Sequence, residues 1–261
     1  MIDTERLQDE LDIFCSWSLR NKLPLNTDKC KVISFCKSRL SCVEAPYVLL
    51  DTQISRVSDI RDLGVIFSSN LSFNKHMDYI ISKGYSLLGF IKRNGREFSD
   101  PFTLKSLYVT YVRSVLEYAA VVWDPFYQKY SDRIESIQKQ FMIYALRRLP
   151  NLNQGFVREP YVNRLLLLNL QTLASRRKMA CAVFGRDILC SKIDCPELLE
   201  KFLVYAPQRA LRSRSGLLRI PFCTNNFNMS EPLLNVFKAF NQNYDSFDFC
   251  ISRELFKNRI K

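Results

Sequence analysis

The sequence predicts an α+β fold, predominantly α-helical, with a small antiparallel sheet near the amino end followed by a helical bundle. Three observations predict it. Up to about Leu71 the apolar residues come in short runs separated by turn-forming residues. Beyond Leu71 they recur at helical spacing almost to the end of the chain. Glycine is scarce, 7 residues in 261, which poorly supplies tight-turn β architectures and glycine-rich phosphate loops.

The first element is a helix, with Leu7, Leu11, Phe14 and Ser18 at helical spacing and Trp17 beside them; Pro24 stops it. Lys29 to Phe35 alternates as a strand, and Tyr47 to Leu50 is a second, with Asp51-Thr52 as the turn after it. Ile60 to Phe67 reads as a third strand. Gly64 inside it marks either a bulge or a close approach by another backbone.

The pattern then changes. Phe73, Met77, Ile80, Ile81, Gly84, Leu87, Leu88 and Ile91 share one helical face. Asp100 can cap the next helix, with Pro101 at the first helical position, where its missing N–H costs nothing. Leu104, Leu107, Tyr108, Tyr111, Val115 and Leu116 are its expected apolar stripe. Asp132 opens a helix carrying Ile134, Ile137, Phe141 and Ala145. Pro150 and Gly155 punctuate a loop, the best candidate for a subdomain boundary. Helical stretches follow at Tyr161 to Leu168, Thr172 to Leu189 and Leu198 to Tyr205. Pro207 to Asn228 reads as an extended basic loop, and a last helix covers Glu231 to Asn241. The organisation is therefore 1–70, 71–150 and 151–261.

Net charge is +12, and the excess is uneven. Between Ser136 and Arg186 the only acid is Glu159, and from Lys201 to Ser230 there is none. Such a field favours polyanions, because each neutralised phosphate releases counterions. The nine cysteines are odd in number and without framework spacing, which argues for a reducing compartment. No signal peptide and no run of about 18 apolar residues is visible. The expectation is an intracellular protein, cytoplasmic or nuclear, not secreted and with no membrane partner.

Most site chemistry is excluded. There is no Cys-x-x-Cys pair, and the single histidine, His76, sits at a helix start, where a packing role fits better than a catalytic one. Neither a Walker A loop nor a dinucleotide fingerprint is present. Two-metal phosphoryl transfer needs carboxylates that hold cations ~4 Å apart. The chain has no Asp-Asp dipeptide, and Asp59 and Asp62 stand at a spacing that sends them to opposite faces of a strand. Glu117, Tyr118 and Trp123 form a tempting cluster, but core packing with a hydrogen-bonded tip accounts for it.

The order of segments carries a resemblance. Leu7-Gln-Asp-Glu-Leu-Asp-Ile-Phe-Cys-Ser-Trp17, Asn21-Lys-Leu-Pro-Leu-Asn26 and the Lys29-to-Phe35 strand come first. Arg61-Asp-Leu-Gly-Val65, Phe73-x-x-His76, Val112 to Pro125 and Ile134 to Phe141 follow. Together they resemble reverse transcriptases of non-LTR retrotransposons, especially the jockey-like group. The tail, with Arg176-Arg177, Pro207 to Phe222 and Pro232 to Phe249, resembles the carboxy-terminal extension of the same proteins.

The resemblance implies that 1–70 is a palm remnant, 71–150 a thumb-like helical region and 151–261 a helical extension with a basic loop. It implies that fingers, most of the palm and the catalytic aspartates lie upstream of Met1. The family's Mg²⁺-dependent, RNA-directed DNA synthesis is then expected of the complete enzyme only. This chain alone would have no catalytic residue, no metal ligand and no cofactor. Its expected partners are an RNA or DNA template–primer and the upstream palm and fingers. By the resemblance, Lys29 matches the palm lysine beside the leaving pyrophosphate, although an exposed strand lysine is the simpler account. Leu63, Gly64 and Val65 match the primer grip. The thumb's phosphate contacts would fall on Lys139, Arg147, Arg148, Arg176, Arg177 and Lys178. The alternative is a non-enzymatic retroelement relic, or a protein-interaction module whose interface is the apolar face left by the missing palm.

Overall fold

The computed structural model describes residues 2–36, 44–148, 160–204, 216–222, 231–243, 248 and 250–260. It contains two compact units, Met1–His76 and Met77–Lys261. The class is α+β and mostly helical. The Pro150–Gly155 loop and most of the Pro207–Asn228 stretch lie outside the described residues.

In the first unit, helix α1 (Ile2–Arg20) is hydrogen-bonded to β2 through Gln8. Gln8 Nε2 donates to the Val48 carbonyl at 2.9 Å, and Gln8 Oε1 accepts the Val48 N–H at 3.0 Å. Cys15 packs with Tyr47, Leu49 and Ile54 into a small core, and Leu11 joins it partly buried. Leu7, Ile13, Phe14, Trp17 and Leu19 are exposed. The stripe expected from Leu7 through Phe14 to Ser18 is therefore only partly covered. Strands of two residues offer too little surface to cover more than one edge of this helix.

The strands are β1 (Lys31–Val32), β2 (Val48–Leu49), β3 (Thr52–Gln53), β4 (Ser55–Arg56), β5 (Asp59–Asp62) and β6 (Val65–Ser68). They form three separate pairs: β1 with β4 in parallel, and the antiparallel hairpins β2–β3 and β5–β6. The run expected as one strand from Ile60 to Phe67 reverses in its middle. Leu63 and Gly64 have φ of +44° and +88°, the two positive values of a type I′ hairpin turn. Gly64 thus sits at a turn, not at a bulge within a strand. Leucine rarely adopts positive φ, so nothing at Leu63 announces the reversal. Leu50 and Asp51, at +47° and +61°, make the β2–β3 turn one residue earlier than expected.

The second unit is helical: α2 (Asn74–Asn94), α3 (Pro101–Leu107), α4 (Ser114–Glu117), α5 (Ala120–Trp123), α6 (Gln128–Leu146), α7 (Tyr161–Leu167), α8 (Leu173–Leu189), α9 (Pro196–Leu199), α10 (Pro232–Gln242) and α11 (Arg253–Arg259). Asp100 caps α3 by accepting from the N–H groups of Phe102 and Thr103, as its position promises. A π-helical turn, Tyr108–Arg113, joins α3 to α4. Leu104, Tyr108, Val112 and Leu116 are all fully buried. Four residues overshoot one α-helical turn, so a strict repeat of four would drift around a regular helix; the wider π turn takes up that drift. Val112 replaces Tyr111 in the stripe, and Tyr111 faces solvent. Tyr108 stacks on Phe141 of α6, centroids 4.2 Å apart. A further core joins α8, α10 and α11 through Cys181, Val183, Phe237, Phe240 and Phe256.

Candidate nucleic-acid interface

Two helices of the second unit end on cations, and their ends meet. The last turn of α2 carries Lys92 and Arg93, with Arg96 just beyond. Helix α6 runs out into Arg147 and Arg148. Arg148 Nη1 donates to the Arg96 carbonyl at 3.0 Å, and Tyr144 Oη donates to the Lys92 carbonyl at 3.5 Å. These donors satisfy carbonyls that the end of α2 leaves open, and cations are favoured there by the helix dipole. Gly95 lies under this contact. A Cβ on it would stand 2.7 Å from the Ile91 carbonyl oxygen, 3.0 Å from Leu104 Cδ2 and 3.3 Å from Tyr144 Oη. Among the described residues none of these five cations is ion-paired. The acids beside them are exposed Glu97 and Asp100, whose carboxylate is engaged in capping α3. The Thr103 hydroxyl and N–H hold the Asp100 carboxyl below its ordinary range.

The structure brings Arg147 and Arg148 of the expected set together with Lys92, Arg93 and Arg96, which linear charge counting passed over. A signal was available: both helices finish on consecutive basic residues. Lys139 is exposed on α6, its Nζ 5.1 Å from the Tyr161 ring centroid, and Lys178 is exposed on α8.

Arg176 and Arg177 are otherwise engaged. Both nitrogens of the Arg176 fork, Nε and Nη2, grip the Glu117 carboxylate. Arg177 is 2% exposed, with Nε on Asp124 Oδ1 at 2.7 Å and Nη2 on Ser131 Oγ at 3.0 Å. Arg177 is therefore a core residue and presents no surface to a phosphate. The acids that neutralise this pair come from α4 and the end of α5, more than fifty residues away in sequence. That explains why the local run looked so basic. Glu117 and Trp123 are likewise structural, Trp123 Nε1 donating to the Tyr118 carbonyl at 2.7 Å.

In the first unit, Lys29 is exposed in a 3₁₀ turn capped by Asn26. Leu63 projects from its hairpin turn, 83% exposed, while Val65 is buried and turned away from that surface. Asp59 is tied to Lys75, Ser68 and Ser58, contacts that hold its carboxyl down at about 2. Asp62 is exposed. The two carboxylates do not converge, so these residues do not fit a catalytic metal pair. Among the described residues no three His, Cys, Asp or Glu side chains are grouped to hold a metal ion, and no helix is long and apolar enough to cross a membrane. Cys36 is disulfide-bonded, which the absence of framework spacing among the cysteines did not suggest.

Sequence reasoning also missed Glu135, because a buried carboxylate on an amphipathic helix resembles any solvated one. It accepts the Leu173 N–H at 3.1 Å, the Ala174 N–H at 3.3 Å and the Tyr161 hydroxyl, closing the start of α8. Gln138 links the same network to Tyr108. No family model, no curated protein and no solved structure matches the chain.

Proposed function

We propose that this chain binds polynucleotide without strong sequence preference, as the palm–thumb portion of a retroelement reverse transcriptase that holds a template–primer and does not itself extend it. One observation carries the reading: Lys92, Arg93, Arg96, Arg147 and Arg148 gather at one end of the helical unit, unpaired with acid among the described residues. Arginine forks suit phosphate oxygens, and they specify position on a strand, not sequence. The order of sequence segments supports the family reading, and the cluster supports the binding reading.

The test is binding of an RNA–DNA duplex across a salt series. Affinity should fall steeply with salt, and Arg147→Glu with Arg148→Glu should flatten the slope by about 1–2. No binding at low salt, or a flat response, removes the proposal. A polymerase assay with Mg²⁺ tests the other half. Nucleotide incorporation by this chain alone would overturn the statement that it does not extend a primer.

A second reading has its own observation. Phe14 and Trp17 stack at 5.9 Å on the exposed side of α1, flanked by exposed Leu7 and Ile13. Such a surface suits a protein-interaction module. Self-association in sedimentation that Trp17→Ser abolishes would favour this reading, and an unaffected monomer would count against it.

A further inference from the structure

We infer that the basic end of the helical unit takes an unpaired polynucleotide strand in preference to a duplex, holding its phosphates on arginines and its bases on exposed aromatic rings. This rests on the polynucleotide reading above and adds to it which form is bound.

Three features bear on it. The cations are Arg93, Arg96, Arg147 and Arg148, as described. The rings are Phe90, Phe98 and Tyr111, each roughly half exposed. Phe90 stands one turn before Arg93 on α2, and the Arg93 guanidinium lies back along the helix, 3.4 Å from where a Cβ on Gly89 would be. Phe98 follows Arg96 by two residues in the loop that leaves α2. Phe90 and Tyr111 face each other at 6.4 Å, inclined at 58°. The third feature is the π turn. It places Val112 in the core and so delivers Tyr111 to solvent beside Phe90. Wide turns of this kind are frequent at functional sites.

Duplex recognition does not require exposed rings, because the bases are stacked on one another and only backbone is offered outside the grooves. Exposed aromatics interleaved with arginines have a physical use on a single strand, where each unstacked base presents a π face and sequence matters little. A protein partner is the rival occupant for apolar rings, but the arginines interleaved with them along the end of α2 argue against a general apolar contact.

The experiment uses the full chain and four labelled probes of equal length: oligo(U), oligo(dT), an RNA–DNA duplex and a DNA duplex. The unpaired probes should bind at least tenfold more tightly than the duplexes. Phe90→Ala with Phe98→Ala should weaken unpaired probes by about tenfold or more and leave the duplexes nearly unchanged. Comparing Phe98→Leu with Phe98→Trp reads the ring without emptying its place, and only Trp should retain affinity. Equal affinity for paired and unpaired probes overturns this inference while leaving the polynucleotide reading intact. So does a pair of Phe98 variants that bind alike. Failure of all four probes removes both. Oligo(U) against oligo(dT) reports whether the 2′-hydroxyl contributes.

Discussion

The Arg177 guanidinium lies on the Asp124 carboxylate at 2.7 Å, both side chains largely withdrawn from water. Burial pushes the Asp124 carboxyl up, and the Arg177 charge is what opposes it. Arg177→Ala would leave that carboxylate buried and alone. The expected cost is about 3–5 kcal/mol of stability, read as a lower urea midpoint. Because Arg177 presents no surface, binding to any polynucleotide at temperatures where the variant is folded should equal that of the wild type. A selective loss of binding in a fully stable variant would return Arg177 to the contact surface.

Leu63 occupies the left-handed region at the tip of the β5–β6 hairpin. An L residue other than glycine, asparagine or aspartate pays about 1–2 kcal/mol there. Leu63→Asn creates Asn-Gly, the pair most suited to this turn. Little burial is lost, since the side chain is mostly in water. The variant should therefore be about 1 kcal/mol more stable. If Leu63 touches a primer, as the family resemblance implies, the same variant should bind the RNA–DNA duplex more weakly. A more stable protein with unchanged binding would show that the strained leucine serves no contact of this kind.

What was legible in the sequence was what depends on local chemistry. The Asp100-Pro101 start of α3 could be read because a cap and a proline act within one turn. The α2 face from Met77 to Ile91 could be read because it keeps the helical period throughout. The hairpin at Leu63-Gly64 could not, since the strained residue carries no turn signature. The exchange of Tyr111 for Val112 could not, since a single wide turn leaves no mark on composition. The basic surface was half legible. Summing charge along the chain counted Arg176 and Arg177, whose acids arrive from α4 and α5, and passed over Arg93 and Arg96.

His76 gives the fold a dependence on pH. Its Nδ1 accepts the Ile66 N–H at 3.3 Å, which fixes a neutral ring with its proton on Nε2. Burial, assisted by the Arg61 charge, pushes the imidazole from 6.5 down to about 4. The unfolded chain takes up a proton near 6.5, and the folded chain refuses it until about 4. Stability from this group is whole above pH 6.5, falls as pH drops to about 4, and then levels. The change should be about 3 kcal/mol. The urea midpoint measured at intervals through this range should fall, and His76→Gln should flatten it. The Asp59 carboxyl contributes in the same direction only at lower pH, between its ordinary 3.8 and about 2, so the two windows are separable. A midpoint independent of pH between 6.5 and 4 would mean that His76 is solvated.

Glu135 links α6 to the start of α8 across 38 residues of sequence. Its carboxylate receives two backbone N–H groups at a helix N-terminus, where negative charge is favoured, and the Tyr161 hydroxyl besides. Burial, assisted by that donation, holds the Tyr161 hydroxyl far above its ordinary range, so it remains a donor. Glu135→Gln keeps one acceptor oxygen and loses the charge, at a cost of about 1–2 kcal/mol. Glu135→Ala orphans all three donors and should cost about 3 kcal/mol or more. Tyr161→Phe should cost about 1 kcal/mol alone, and less when Glu135 is already Ala, because the two share one bond. Hydrogen exchange decides between a local and a global effect. Protection should fall first at Leu173 and Ala174, the donors left without an acceptor, before it falls at Phe240 in the core that α8 shares with α10. Loss at both sites together would mean that the helix start and that core open as a single unit, with Glu135 holding the whole.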